Sequence, residues 1–115
     1  MSVGGNWTTI CALEQLQPER GVAALVAGTQ VAVIRTFDDR LYAIGNQDPV
    51  TRAQVMSRGI VGTRGHTPVI TSPLHQQAYD LRTGECLDLP GIRVPTYQVR
   101  CTAGRVEIAL TTARP

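Results

Sequence analysis

The chain has 115 residues, which is enough for one domain with a single modest core. Apolar residues make up 43% of it and the mean hydropathy is −0.04, values typical of a globular chain and not of a disordered one. No apolar run approaches the roughly 20 residues that a transmembrane helix needs. The net charge of +2 is too small to indicate nucleic-acid binding. Residues 1–6 lack the basic and apolar regions of a signal peptide, so we expect a cytoplasmic protein without membrane attachment.

The first part of the chain predicts short strands separated by turns. The expected strands are Trp7–Leu13, Val22–Val26, Gln30–Thr36 and Leu41–Ile44. Residues 27–29, with glycine at the centre, predict a hairpin turn, and residues 36–40 predict a second turn because Asp tolerates the left-handed conformation.

Residues 45–65 show no clean alternation of apolar and polar side chains and contain Pro49. We expect a long loop here, with one short helical turn over Thr51–Met56. A loop of this length in a small β-domain is usually functional or derived from a functional loop.

The second part of the chain returns to regular β-strands. Strands are expected over Thr67–Thr71, Gln77–Leu81, a run that begins near Cys86, Thr96–Cys101 and Val106–Leu110, followed by a frayed tail over Thr111–Pro115. Strands in series with hairpin turns and little helix predict an all-β fold, either a β-sandwich or a small barrel.

The three cysteines, Cys11, Cys86 and Cys101, are far apart and form no C-x-x-C motif. An odd number of cysteines without a secretory signal argues against a disulfide framework. We therefore expect each of them to be a free thiol that behaves as a small buried hydrophobe.

Several segments together resemble a Rieske-type domain, and most closely the small subunit of assimilatory NAD(P)H nitrite reductase. Leu41 to Pro49 resembles the strand and first ligand loop, Ser57 to Gly62 a segment typical of that subunit, Ser72-Pro73-Leu74-His75 the second ligand loop, and Tyr79 to Cys86 the hairpin after it. The resemblance covers nearly the whole chain. It implies one antiparallel Rieske-like β-sandwich over residues 1–115, with degenerate ligand loops at about 45–65 and 72–77.

The ligand motifs of such a domain are incomplete in this chain. A Rieske cluster needs C-x-H in the first loop and C-x-x-H in the second. The first motif falls on Asn46-Gln47-Asp48 and the second on Ser72 to His75, so only His75 matches. Both thiolates are absent, and neither an amide nor a hydroxyl replaces the soft anionic sulfur that the iron requires. We expect no [2Fe–2S] cluster in this chain.

The sequence gives less support to other chemistry at these positions. Asp48 and His75, with Asn46 and Ser72, form a conceivable site for zinc or ferrous iron, but only two of the four are good ligands. A nucleophile pair of Ser72 and His75 lacks a visible third orienting group. His66 lies in a glycine-rich segment and is expected to be exposed.

The resemblance implies a non-catalytic subunit of cytoplasmic nitrite reductase. Its partner would be the large subunit, which carries the FAD, siroheme and iron–sulfur cluster and reduces nitrite to ammonium. Candidate docking residues are Arg52, Arg58 and Arg64 in the long loop, and His75 in the second loop, because arginine is enriched at interfaces and functional contacts concentrate on loops. The alternatives are a cluster-free interaction module of another oxidoreductase and an electron-transfer ferredoxin.

Overall fold

The computed structural model describes residues 7–112, which form nine strands in two antiparallel sheets. Six strands form the larger sheet: β1 (Thr8–Ala12), β2 (Arg20–Val26), β3 (Thr29–Arg35), β4 (Leu41–Gly45), β8 (Thr96–Thr102) and β9 (Arg105–Thr112). Their order is β1-β9-β8-β4-β3-β2. The prediction of an all-β antiparallel fold is confirmed.

The smaller sheet contains β5 (Ile60–Arg64), β6 (Thr67–Thr71) and β7 (Ala78–Asp80), in the order β5-β6-β7. Two short 3-10 helices, Leu13–Gln15 and Met56–Arg58, complete the regular structure of the described residues. Neither of them is long and apolar enough to cross a membrane.

Strand β3 lies between two hydrophobic clusters, which explains its uninterrupted apolar run. Ala32 and Ile34 point into the first cluster, with Met56, Ile70 and Tyr79, between the larger sheet and the smaller one. Val31 and Val33 point the other way, into a second cluster whose other buried members are Leu16, Val26, Ala43, Val106 and Ile108. Because successive side chains point to opposite faces, a strand that is buried on both faces needs apolar residues at every position.

Two of the hairpins close with two-residue turns in which both central residues have positive φ. At Ala27-Gly28 the φ angles are 48° and 82°, and at Ala103-Gly104 they are 52° and 76°. Positive φ at both central residues is the geometry that matches the twist of the flanking strands. The first of these turns lies where the sequence predicts a hairpin turn, at residues 27–29.

Other local predictions are wrong. Strand β5 lies inside the predicted loop over residues 45–65, and the helical turn falls on Met56–Arg58 instead of Thr51–Met56. Strand β5 does not alternate apolar and polar residues as a half-buried strand does. Its apolar residue Ile60 is 73% exposed, and only the next residue, Val61, is buried. Its pairing with β6, and not its own sequence, makes it a strand.

The segment that follows Cys86 and the C-terminal strand also differ from the prediction. The run from Cys86 forms only isolated bridges, Tyr79 with Cys86 and Glu85 with Arg93. Strand β9 extends to Thr112, so the predicted frayed tail is wrong at its first two residues, and residues 113–115 lie outside the described part.

The three cysteines are free thiols, as predicted. Cys86 is buried and Cys11 is half-buried, but Cys101 is exposed, so the expectation of burial is wrong for Cys101. The reason is its position near the end of β8, where the strand extends beyond the core and its last three residues are all exposed.

Candidate functional site

The first predicted ligand loop begins at Asn46, directly after β4, and its amide side chain is buried. The Asn46 side-chain oxygen accepts a hydrogen bond of 2.7 Å from the backbone N–H of Ser57, and its side-chain nitrogen donates one of 3.3 Å to the Gln30 side chain. The Asn46 carbonyl also accepts from the Met56 N–H at 2.9 Å. Asn46 therefore fastens the returning end of the loop to the sheet through both the oxygen and the nitrogen of its side chain.

Asp48 is completely buried in the same loop. One of its carboxylate oxygens accepts from the backbone N–H groups of Val50, at 2.8 Å, and Thr51, at 3.2 Å. The other oxygen accepts from the hydroxyl of Ser72, across 24 positions of sequence. The carboxylate thus shapes its own loop and binds the second loop at the same time.

Ser72 opens the second loop and is also buried. Its backbone N–H donates to the Gln77 carbonyl at 2.9 Å and its carbonyl accepts from Gln76 at 3.0 Å, which closes a tight loop over residues 72–77. His75 lies at the exposed tip of this loop. Two of the four predicted ligand positions, Asp48 and Ser72, are therefore bonded to each other, whereas Asn46 has separate partners and His75 faces outward.

Several opposing effects act on the Asp48 carboxyl. Burial raises the pKa of Asp48, but the hydrogen bonds from Ser72, Val50 and Thr51 lower it, with a smaller contribution from His75 in the same direction. The net result is a pKa below the usual value for Asp. The carboxylate is consequently charged at neutral pH, and its hydrogen bonds are charge-assisted, about twice as strong as neutral ones.

Tyr79 on β7 forms part of the floor beneath the two loops. It is completely buried, and its hydroxyl has no hydrogen-bond partner among the described residues. Burial raises the pKa of Tyr79 to about 12, helped by the charge of Asp48 and the nearby thiol of Cys86. The sequence identifies Tyr79 as an aromatic strand residue, but it contains no signal that the hydroxyl lies beside a buried carboxylate.

A third loop, over residues 86–91, supports the second loop through Asp88, which the sequence analysis missed. The Asp88 carboxylate accepts from the backbone N–H of Ala78 at 2.8 Å and forms an ion pair with Arg64 at 3.0 Å. Asp88 is exposed and lies outside any regular alternation, so only the three-dimensional structure shows its partners.

The four candidate docking residues fall in different surroundings. Arg52 is exposed in the first loop in the left-handed conformation, with φ 69°, and Arg58 is exposed in the second 3-10 helix. Arg64 belongs to β5 and forms an ion pair with Asp88, whereas Arg52 and Arg58 make no ion pair within the described residues.

His75 shares the tip of the loops with two exposed apolar side chains, Val50 and Leu74. Val50, Arg52, Leu74 and His75 are called the tip surface below.

The donor chemistry of the site does not fit a [2Fe–2S] cluster. Such a cluster needs two thiolates and two imidazoles, whereas the four positions supply an amide, a carboxylate, a hydroxyl and one imidazole. Across residues 7–112, no three His, Cys, Asp or Glu side chains are grouped in a way that could hold a metal ion.

Comparisons with known proteins agree with this architecture. The family model of the Rieske-like [2Fe–2S] domain matches residues 6–109. The small subunit of the NADH nitrite reductase of Escherichia coli K12 is 34% identical over 104 residues, which are 90% of this chain and 96% of that protein. The crystal structure of an NADH-dependent nitrite reductase small subunit from Mycobacterium tuberculosis is 48% identical, with a TM-score of 0.86, and the match covers 89% of this chain and 92% of that one.

A third relative is a large subunit. The nitrite reductase [NAD(P)H] large subunit of Klebsiella oxytoca contains a segment that is 35% identical over 100 residues, which are 87% of this chain but 10% of that protein. In that organism, a domain similar to this chain is part of the large-subunit polypeptide.

Proposed function

This chain belongs to the Rieske-like [2Fe–2S] domain family, among the small subunits of nitrite reductase, and on that premise we propose that it is the non-catalytic small subunit of a cytoplasmic NAD(P)H-dependent nitrite reductase. Its role is to dock on a large subunit that carries FAD, siroheme and an iron–sulfur cluster and reduces nitrite to ammonium. The Klebsiella oxytoca large subunit supports this partner, because there a similar domain and a large subunit form one polypeptide.

One observation carries the non-catalytic part of the proposal. The Asp48 carboxylate, at a position where a Rieske domain has a histidine ligand, accepts a hydrogen bond from Ser72, at a position where it has a cysteine ligand. Both residues are buried, and the loops that contain them are closed by further backbone hydrogen bonds. A hydrogen bond within the chain thus joins the two loops where the family places a metal cluster, and we propose that this chain binds no cluster of its own.

We propose that the tip surface contacts the large subunit. It combines an exposed guanidinium with apolar side chains, Val50 at 41% and Leu74 at 50% exposure. Arginine and exposed apolar groups of this kind are enriched at interfaces. Arg58 extends the same loop region, whereas Arg64 already binds Asp88 and is a weaker candidate.

Co-expression with the large subunit tests the subunit role. We expect the two chains to co-purify and nitrite-dependent oxidation of NADH or NADPH to fall when the small chain is omitted. The variants Arg52→Glu and His75→Glu should weaken the association, whereas Arg105→Glu is the matched control, because Arg105 is exposed and makes no ion pair within the described residues. If the two chains do not associate and activity is the same without the small chain, the proposal is wrong.

A reconstitution experiment tests the absence of a cluster. The purified chain, incubated with iron and sulfide under reducing conditions, should remain colourless and contain no stoichiometric iron. The triple variant Asn46→Cys, Asp48→His, Ser72→Cys restores the four ligand types together with His75 and serves as the comparison. Visible absorbance with two irons per wild-type chain would overturn the proposal and favour an electron-transfer ferredoxin.

A further inference from the structure

Four of the five aromatic residues of the chain lie around one surface groove. Trp7, Tyr42 and Tyr97 line a groove of about 610 Å³, and Phe37 lines an adjoining hollow of about 310 Å³ that shares Tyr42 with it. The fifth, Tyr79, is completely buried, whereas Tyr42 and Tyr97 are partly buried and pack against the two hydrophobic clusters from the groove side. Aromatic side chains supply much of the binding energy at interfaces, so this concentration points to a binding surface.

The groove lies where two strands of the larger sheet separate. The ladder between β4 and β8 contains only the pairs Ala43–Tyr97 and Ile44–Thr96. Strand β4 nevertheless begins at Leu41, and β8 continues to Thr102. The groove walls include Leu41 to Ala43 on one side and Tyr97 to Val99 on the other. An extended peptide that enters here meets strand edges that can add main-chain hydrogen bonds to side-chain contacts.

The charges of the larger groove have one sign. Its charged lining residues are Arg40 and Arg82. Their side chains are 71% and 52% exposed, and each has one carboxylate partner: Asp38 beside Arg40 is 44% exposed and Asp80 beside Arg82 is 9% exposed. Arg40 contacts Asp38 through its Nε atom, and a guanidinium has five N–H donors, so several remain for an incoming carboxylate.

The indole of Trp7 is held in a defined place at this groove. The Arg100 guanidinium lies over the Trp7 ring, 4.0 Å from its centroid, and Arg100 in turn binds Glu107 at 2.7 Å. A ring fixed in this way loses less conformational entropy when a ligand packs against it.

The groove and the tip surface lie at opposite ends of the same strands. Strand β4 begins at the groove, at Leu41, and ends at Gly45, next to the first loop. Strand β6 begins after the hairpin of residues 64–67, which borders the adjoining hollow, and ends at Thr71, next to the second loop. A partner that occupies the groove therefore does not compete with one that covers the tip surface.

We propose that this groove binds an extended, acidic segment of the large-subunit polypeptide, with an apolar side chain placed among Trp7, Tyr42 and Tyr97 and a carboxylate on Arg40 and Arg82. The inference rests on the proposed function, because it takes the large subunit as the partner. It adds a second contact surface, so that the domain is held at both ends.

The single tryptophan provides a direct reporter of the groove. The full chain is labelled with 5-fluorotryptophan, which gives one 19F signal, and is titrated with unlabelled large subunit. We expect the chemical shift of the signal to change up to a stoichiometric end point; broadening alone does not count, because a large partner slows tumbling wherever it binds. The variant Arg40→Glu should weaken binding at least tenfold and Arg40→Gln by a smaller factor, while Arg105→Glu stays within twofold of the wild type. Circular dichroism of each variant checks that the fold is intact.

The outcomes separate this inference from the proposed function. If the large subunit binds the wild type with an unchanged 19F chemical shift, and binds the Arg40 variants equally well, the groove inference is wrong and the subunit role stands. If the large subunit does not bind at all, both are wrong. NADH and NADPH are titrated separately into the labelled chain; a saturable shift of the signal with either nucleotide would show that the groove takes a small planar anion, which also overturns the inference.

Discussion

The hydrogen bond between Ser72 and Asp48 should contribute strongly to the stability of the fold. Asp48 is fully buried, so its carboxylate cannot exchange the lost partner for water when Ser72→Ala removes the hydroxyl. A hydrogen bond to a charged group contributes about 1.5–3 kcal/mol, and we expect a loss of about 2 kcal/mol in the free energy of unfolding. Asp48→Ala should cost about 3 kcal/mol, since it also leaves the N–H groups of Val50 and Thr51 without an acceptor.

Urea denaturation followed by circular dichroism measures these losses. With a slope of about 1.5 kcal/mol per M, the Ser72→Ala variant should unfold at a urea concentration lower by roughly 1.3 M. The double variant gives the coupling energy between the two side chains, which should be at least about 1 kcal/mol for groups in direct contact. Ser57→Ala is the matched control, because the Ser57 hydroxyl makes no hydrogen bond within residues 7–112, and it should stay within about 0.5 kcal/mol of the wild type.

The stability that Ser72→Ala loses should also depend on pH and become smaller in acid. The pKa of Asp48 is lowered in the folded state, so the stability that its charge provides is fully present above the unfolded value of about 3.9 and is lost as pH falls through the folded value. The difference between wild type and Ser72→Ala should therefore be constant near neutral pH and shrink below about pH 4. A Ser72→Ala variant as stable as the wild type at pH 7, or a coupling energy near zero, would refute the reasoning.

Three further substitutions test other parts of the fold. Gly84 has φ 82°, and a Cβ there would collide with the carbonyl oxygen of Val94, so Gly84→Ala should cost at least about 3 kcal/mol, measured by urea denaturation. Gly104→Ala, at φ 76° with open space around it, should cost only about 1 kcal/mol; equal losses would mean that the clash is not the cause. Tyr79→Phe should be neutral or stabilising by up to about 1 kcal/mol, because it removes a buried hydroxyl without a partner. Since the folded state raises the pKa of Tyr79 to about 12, wild-type stability should fall as pH rises above 10, and the variant should lose less; identical pH dependence would contradict this.

The strands that the sequence predicts correctly are those whose alternation or apolar run is set by the core. Strand β6 has the predicted bounds, Thr67–Thr71, and β3 differs from its prediction by one residue at each end. Strand β5 is missed because a single buried side chain, Val61, gives no period, and its partner β6 supplies the pairing. Local pattern predicts an element only where the element's own side chains carry the burial.

The candidate site shows a similar division. Comparison with the Rieske ligand motifs identifies four positions, three that differ from the motif and one that matches it, but it assigns them a common role. They are Asn46, Asp48, Ser72 and His75. In the structure, Asp48 and Ser72 form a bonded pair, Asn46 is a structural amide and His75 is exposed. These separate roles depend on which way each side chain points, and a motif written as spacing along the chain contains no such information.

The residues that stand at the ligand positions of the two loops indicate what the loops are used for. Had the loops simply lost their metal, two buried loop segments with unpaired polar groups would remain, at a cost of about 1–3 kcal/mol for each unsatisfied group. Instead, the buried carboxylate of Asp48 has three donors, from Val50, Thr51 and Ser72, so that the polar atoms at its position are satisfied within the protein. Two buried side-chain oxygens near them have no partner within the described residues, the hydroxyl of Tyr79 beneath the loops and the amide oxygen of Gln77 at the end of the second loop. If the two loops served only to hold a cofactor, nothing would maintain their hydrogen-bonded structure once the cofactor was lost. The bonded pair therefore favours a function that uses the outer surface of the loops, where Arg52, Leu74 and His75 are exposed, and this is the requirement that docking on a large subunit makes.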